Sequence, residues 1–541
     1  MPENQIDQEI ADYIHNYSRE RYVEILQNDD RFEVFMHLSP MRQGLFSWYD
    51  FQGNEELLEI GGQFGELTGL FCEKCRHVVT VETSYVRSRA IYDRWKDKEN
   101  LEIFTDERGI LGNRCRFDYI ILIGELEHHK GEERQYLERF RSLLKKGGKI
   151  LFAVENRYGL KYFCGEPEPY SGIPFEGINQ YAGRRHGYTF DRQELRDILK
   201  DLGVDNYKFY YPLPDYRNPQ MILSDEFLPA NCIRERLIPY YQNKYSLVAN
   251  EMNLYIDLLR NGVFPFFANS FLVEFSFEAE QKLSSPLGAM LTTDRGENCG
   301  YATVIYANKV QKKPLWIKAK ENLYQSYVNI SLLQKRKIPV VPHTCMSDGL
   351  VMPRESKLPC NIFFLQNMNS VIMIEVFDRL YEDILLSSEH VDSSRNAMKK
   401  EHDQRDWGII LEKAYIDMVP ANAFYEEGRL YYFDQEFVKE NYPARYVMFR
   451  AVKYHYVYLK RACEVIRQET LAKRYGLLEF WEEFEREEQR FIMQNRNQKV
   501  YENFYHWTGA SRKIITKNTA LLLEQSHADK DNGSFYNGKK I

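Results

Sequence analysis

Between residues 55 and 154 short apolar runs alternate with stretches of helical spacing. Leu57–Ile60, Val78–Glu82, Leu101–Asp106, Phe117–Gly124 and Lys149–Val154 read as five buried strands, with β-branched and aromatic residues bounded by acids or glycines. A helix is predicted from about Glu132 to Leu144, stopped by Lys145-Lys146-Gly147-Gly148. Strands alternating with helices predict a parallel, doubly wound α/β sheet. Ligands of such sheets bind beyond the carboxyl ends of the strands. Glu59, Glu82, Asp106 and Gly124-Glu125-Leu126 all fall on that rim.

The pattern changes on either side. Residues 5–30 read as polar, amphipathic helices. Phe35–Arg42 and Leu45–Tyr49 form a helical lead-in with two readings, a cover for the mouth of a ligand site or a helix packed on the sheet. From about residue 280 the strands shorten and look antiparallel, with Tyr301–Tyr306 and Leu315–Lys320 as expected neighbours, and long helices follow. Leu477–Glu487 has apolar residues at helical spacing with acids between them, a solvated helix lying on a lobe. Residues 526–541 read as a disordered tail.

The chemistry concentrates in two stretches. In the first, Gly61 and Gly65 sit where the chain must turn sharply after strand one and approach a ligand closely. Glu82 follows at roughly the 20-residue distance at which an acid can hold ribose hydroxyls. In the second, Asp417 is followed five residues on by Asn422, as in the catalytic loop of kinases. A predicted hairpin, turning at Glu426-Glu427-Gly428, then returns Asp434 beside Asn422. Phosphoryl transfer needs positioning and charge neutralisation. Asp417 is the candidate for the acceptor hydroxyl's proton, and Lys318 for the phosphates. Asn422 and Asp434 supply the hard oxygens that Mg²⁺ takes. Gln404-Arg405-Asp406 imitates such a loop, but the residue five beyond Asp406 is Leu411, which holds no metal.

Net charge near −7 argues against general nucleic-acid binding. The odd, scattered set of 9 cysteines suits a reducing compartment. Cys72, Cys75 and His77 are the one metal-like grouping, and without a second pair at zinc spacing they read as helix packing. No apolar run approaches the roughly 18 residues of a membrane span, and the first residues lack a signal peptide's pattern, so a cytoplasmic protein is expected.

Glu59-Ile60-Gly61 with Gly65, Glu82, Phe117-Asp118 and the Lys145–Gly148 turn resemble the class I S-adenosylmethionine-dependent methyltransferases. The resemblance implies that the glycine turn supports the methionine part of the cofactor, that Glu82 holds the ribose, and that Asp106 lies by the adenine. The implied cofactor-binding set is Glu59, Gly61, Gly65, Glu82 and Asp106. A nicotinamide enzyme would show Gly-x-Gly-x-x-Gly, whereas Gln63 stands where its second glycine falls.

Leu38-Ser39-Pro40, Glu155–Phe163, Tyr210–Tyr216, Ser224–Pro229 and Phe267–Val273 extend the resemblance to bacterial methyltransferases found with surface-polysaccharide assembly, some fused to a kinase. Where an acid–His pair is expected near Gly165–Gly172, this chain has Glu166-Pro167-Glu168-Pro169-Tyr170-Ser171. His128, His129, His186 and Glu155 are then candidates for a methyl-transfer base by position alone. The second stretch resembles the small-molecule and sugar kinases of the protein-kinase-like superfamily. Tyr415 stands in for the usual His, Asp294–Gly300 is a loose glycine loop, and Glu321 is the nearest helical partner for Lys318.

The expected architecture is α/β: a Rossmann-like methyltransferase sheet, then a bilobal α+β protein-kinase-like domain and C-terminal helices. The expected boundaries are 1–278, 279–500 and 501–541. The resemblance implies an enzyme using S-adenosylmethionine, with ATP and Mg in its second half. It would phosphorylate and methylate a lipid-linked polysaccharide or related glycan at the inner membrane face, alongside glycosyltransferases. The rivals are an inactive kinase-like scaffold beside a methyltransferase, and a small-molecule methyltransferase.

Overall fold

A computed structural model describes residues 5–107, 110, 116–181, 187–229, 237–241, 245–495 and 501–531. The chain packs as two compact units, residues 1–293 with 498–541, and residues 294–497.

In the first unit the five expected strands form: β1 (Glu56–Ile60), β2 (His77–Val81), β3 (Leu101–Phe104), β4 (Phe117–Ile123) and β5 (Leu144–Glu155). They pair in parallel in the order β3-β2-β1-β4-β5, so the direction of winding reverses between β1 and β4. β6 (Asn206–Leu213), β7 (Met221–Ser224), β8 (Ser270–Ser276) and β9 (Gly288–Leu291) extend the sheet antiparallel beyond β5, in the order β5-β8-β6-β7-β9. The parallel strands carry near-continuous apolar runs because helices cover both faces, and Leu58, Ile120, Ile150 and Phe152 are buried in one core.

The helix expected to reach Leu144 stops at Glu138 and gives way to a short 3-10 turn at Arg141–Leu143. Leu144 already pairs with Phe117, ahead of a register shift, so the Lys-Lys-Gly-Gly stretch belongs to β5. Ladder hydrogen bonds and the pairing of Lys145 with Asp118 (2.7 Å) outweigh the local helix-stop signal.

Residues 279–293, expected with the second domain, stay with the first unit through the pairing of β9 with β7. The helix Glu502–Asp531 belongs there too, and it covers residues 526–531 of the expected tail; residues 532–541 lie outside the described residues. Ile514 and Ile515 of that helix join Ile10, Ile14, Tyr22, Val34 and Phe35 of the N-terminal helices in a second core, which also buries Phe64.

In the second unit, β10 (Tyr301–Ile305), β11 (Lys309–Pro314), β12 (Thr344–Met346) and β13 (Gly349–Pro353) pair antiparallel in the order β12-β13-β11-β10, beside the helix Ala319–Lys335. The strand expected at Leu315–Lys320 lies instead at Lys309–Pro314. Pro314 ends it, and residues 316–320 turn into the helix. Two small antiparallel sheets follow. One holds β14 (Leu358–Pro359), β17 (Ala423–Glu426) and β18 (Arg429–Tyr432). The other holds β15 (His390–Val391), β16 (Ile410–Tyr415) and β19 (Val438–Pro443). They pack with the helices Ser370–Leu386, Ala444–Tyr458 and Trp481–Asn495 around Phe377, Met418, Phe449 and Phe484.

Candidate functional site

The chain leaves β1 through Gly61 and Gly65, both at positive φ (73° and 77°). The Gly61 N–H donates to Val81 O (2.9 Å), which ties the turn to the end of β2. A Cβ on Gly61 would fall 1.9 Å from Glu125 Oε1, and one on Gly65 would fall 2.9 Å from Trp95 Nε1. Trp95 Nε1 donates to Gly65 O (2.7 Å), holding the turn from beneath. Both glycines are required by conformation and by close approach.

The lead-in helix Phe32–Leu38 packs on this turn. His37 pairs with Glu66, and buried Arg94 donates to His37 O (2.9 Å) and Phe64 O (3.0 Å). Neither His37 nor Arg94 stood out in the sequence, because contacts between distant segments have no local signature.

The acids on the rim do different things. Glu59 is buried and accepts from the hydroxyls of Thr68 (2.6 Å) and Thr80 (2.8 Å). Burial pushes its pKa up to about 7. It braces the helix start against β2. Glu82 accepts from the backbone N–H groups of Gln63 and Ser84, both at 2.9 Å, so it is locked to the glycine turn itself. Burial raises its pKa as well. Each carboxylate oxygen retains a lone-pair direction for a ligand hydroxyl. Asp106 is exposed just after β3.

The structure therefore gathers Glu59, Gly61, Gly65 and Glu82 at one place and leaves Asp106 on the open rim. It adds Glu125, on the rim by sequence but without an assigned part there. Glu125 covers Gly61, and burial pushes its pKa up to about 7, with Glu82 adding to the effect.

Among the candidate bases, Glu155 is neutralised by Lys161 (2.8 Å) and Arg217 and also accepts from Tyr162. His129 stacks on Tyr136 with ring centroids 3.7 Å apart, and His128 lies on the surface with its ring 5.7 Å from that of Tyr170. His186 lies outside the described residues. The Glu166–Ser171 stretch brings Tyr170 onto buried Glu127, which also accepts from the Glu155 N–H. Burial, reinforced by the Glu155 charge, pushes the Glu127 pKa up to about 8.

In the second unit the expected hairpin forms as β17 and β18, and the Phe433 N–H donates to Asn422 O (2.9 Å), so Asp434 returns beside Asn422. Asp417 has both oxygens engaged. One accepts from the N–H groups of Glu436 (3.1 Å) and Phe437 (2.9 Å), and the other pairs with Arg450 (3.1 Å). Asn422 donates to Asp417 O (3.2 Å), which leaves its own amide oxygen for a ligand. In this geometry Asp417 braces the loop.

Lys318 is not where a phosphate-binding lysine was expected. It stands outside the strand, 64% exposed, and pairs with Glu297. Lys312 on β11 takes the inner position and pairs with both Asp434 and Glu436, while Arg295 reaches Glu436 at 3.3 Å. Burial works to raise the Asp434 pKa, but the Lys312 ammonium outweighs it and holds that carboxyl well below the usual range. Burial raises the pKa of Glu436. With the strand at Lys309–Pro314, Lys312 and not Lys318 lies on it.

Residues 30–208 match the family model described as a methyltransferase domain. No curated protein is matched by the sequence. Among solved structures, the chain is 18% identical to the N-methyltransferase NodS from Bradyrhizobium japonicum WM9, bound to S-adenosyl-L-homocysteine, over 26% of this chain and 75% of that one, with a TM-score of 0.21. A SAM-dependent methyltransferase from Archaeoglobus fulgidus shows 16% identity over 44% and 93%, at a TM-score of 0.28. One from Thermotoga maritima, titled a possible histamine N-methyltransferase, shows 13% over 50% and 100%, at 0.27. By the family match, residues 30–208 carry a methyltransferase domain.

Proposed function

We propose that the first unit binds S-adenosylmethionine and transfers its methyl group to an acceptor. The observation that carries this is the lock between the glycine turn and the acid after β2: Glu82 accepts from Gln63 N–H and Ser84 N–H while Gly61 bends at φ 73° beside it. This arrangement offers backbone to the methionine end of the cofactor and a carboxylate to its ribose hydroxyls. The bound cofactor supplies a methyl group on a positively charged sulfur. The protein's part is to hold that sulfur and an acceptor in line and to keep water out. Calorimetry with S-adenosylmethionine on the full chain and on Glu82→Ala tests the reading. We expect a one-to-one complex that the substitution weakens severely; absence of binding to the unsubstituted protein would sink it.

For the second unit a nucleotide-dependent phosphotransferase is favoured by one observation. Lys312, Asp434 and Glu436 form one ion-paired cluster, with Glu436 buried and Lys312 and Asp434 half-buried, and Asn422 is held to the residue before Asp434. In this reading Asn422 and Asp434 hold Mg²⁺, and Lys312, in place of Lys318, meets the phosphates. Asp417 acts as a positioning residue. The acceptor of both reactions is, in our proposal, a glycan of the surface-polysaccharide class carried on a lipid. No helix among the described residues is long and apolar enough to cross a membrane, so the chain would reach such an acceptor from the membrane's face. Labelled cofactor incubated with a panel of sugar acceptors should label the end of a glycan; labelling confined to small non-sugar acceptors would favour the small-molecule reading.

A further inference from the structure

Glu125 stands out on the rim. It follows β4 closely and its side chain lies over Gly61; its backbone carbonyl accepts from the His128 N–H (3.1 Å), while its carboxylate makes no hydrogen bond or ion pair among the described residues. The charges facing it come from several elements. Glu82 after β2 and Glu107 after β3 repel it; Arg87 and Arg139 attract it. Both arginines are committed elsewhere, Arg87 to Asp7 (2.8 Å) and to Gln63 Oε1 (3.1 Å), and Arg139 to Glu107 (2.8 Å). An acid that covers a ligand turn, with a like charge nearby and no counter-ion of its own, is arranged for a cation brought by the ligand.

We infer that Glu125 is the counter-ion of the cofactor's sulfonium and makes the site prefer the charged cofactor to its uncharged thioether product. This rests on the cofactor reading above and deepens it. S-adenosylmethionine and S-adenosylhomocysteine share the adenosine, the amino group and the carboxylate, and they differ by a methyl group and one positive charge on sulfur. When the charged form binds, the protonated fraction of Glu125 gives its proton to solvent and the carboxylate faces the sulfonium. After transfer the sulfur is neutral, the pairing is gone, and product leaves more readily. Glu59 has a similarly raised pKa but is turned inward onto Thr68 and Thr80, so it cannot take this part.

The test is calorimetry of both ligands on the full-length protein and on Glu125→Gln, at pH 7 in buffers of different ionisation enthalpy. With the Glu125 pKa at about 7, the intact protein should release about half a proton with S-adenosylmethionine and close to none with S-adenosylhomocysteine. Glu125→Gln should erase that difference, weaken the charged ligand about fivefold at pH 7, where half of Glu125 carries the tenfold effect of one pKa unit of coupling, and leave the thioether within about twofold. Equal proton release with both ligands, or equal weakening of both, overturns the inference while leaving the cofactor reading intact. If neither ligand binds the unsubstituted protein, the cofactor reading falls and takes this inference with it. Should Glu125→Gln fail to fold, the unsubstituted protein decides alone. Its preference for the charged ligand should grow about fivefold from pH 6 to pH 8, as Glu125 goes from roughly one-tenth to nine-tenths ionised. A flat preference overturns the inference.

Discussion

The two polar clusters of this chain are built on opposite electrostatic plans. On the rim of the first unit Glu59, Glu82 and Glu127 have hydroxyls and backbone N–H groups as partners, the Glu125 side chain has neither, and no cation pairs with any of the four among the described residues. Their pKa values rise, with burial the main cause. In the second unit each acid meets a cation: Asp417 meets Arg450, Asp434 meets Lys312, and Glu436 meets Lys312 and Arg295. The first arrangement leaves acids without counter-ions, which a cationic ligand would ionise. The second is balanced and suits ligands that exchange charges, a divalent cation for the acids and a phosphate for the lysine.

The largest expected effect tests the balanced cluster. Arg450→Ala leaves Asp417 and Glu488 buried without their shared guanidinium and should cost about 3–5 kcal/mol in the second unit, read from its denaturant midpoint. A loss under about 1 kcal/mol would mean the cluster is not held by charge pairing. Next is the lysine. Mg-ATP at about 100 times its Kd should stabilise the second unit by roughly 2.7 kcal/mol in thermal unfolding. Lys312→Met should abolish that shift and Lys318→Met should leave it unchanged; the reverse pattern would restore Lys318 to the site.

Gly61→Ala should cost the first unit about 1–3 kcal/mol through left-handed strain, and more if Glu125 cannot move off the new methyl group. It should also abolish S-adenosylmethionine binding, while Gly53→Ala, also at positive φ but with open space at its Cβ, should keep that binding. The smallest effect is the pH dependence of the unpaired acids. Glu127 has a folded pKa near 8 against an ordinary value of 4.5, so folding favours its protonated form. That contribution is complete below about pH 4.5 and is lost as pH rises through about 8. Glu127→Gln should therefore leave the first unit more stable than the unsubstituted protein at pH 9, by on the order of 1 kcal/mol, and no more stable at pH 5. Identical stability curves for the two proteins would place Glu127 in a wetter setting than its burial indicates.

The sequence by itself determined the five parallel strands, the glycine turn and the acid after β2, because each is written in local periodicity and spacing. Leu57–Ile60 and Val78–Val81 are apolar but for Glu59 and Thr80 and are buried on both faces, and Gly61 and Gly65 mark positions that other residues cannot occupy without strain. The hairpin that returns Asp434 was legible for the same reason, since Glu427 and Gly428 bend where the flanking residues alternate. What the tertiary structure decided is which side chains are spent and which are free. Only packing shows that Asp417 is consumed by Arg450 and two backbone amides, that Lys312 takes the inner place and Lys318 the outer, and that Glu125 lies over Gly61 without a counter-ion. Those outcomes depend on residues tens to more than a hundred positions apart. The physical reason is that a charged group's role follows from its nearest opposite charge and its distance from water, and neither is a property of the local chain.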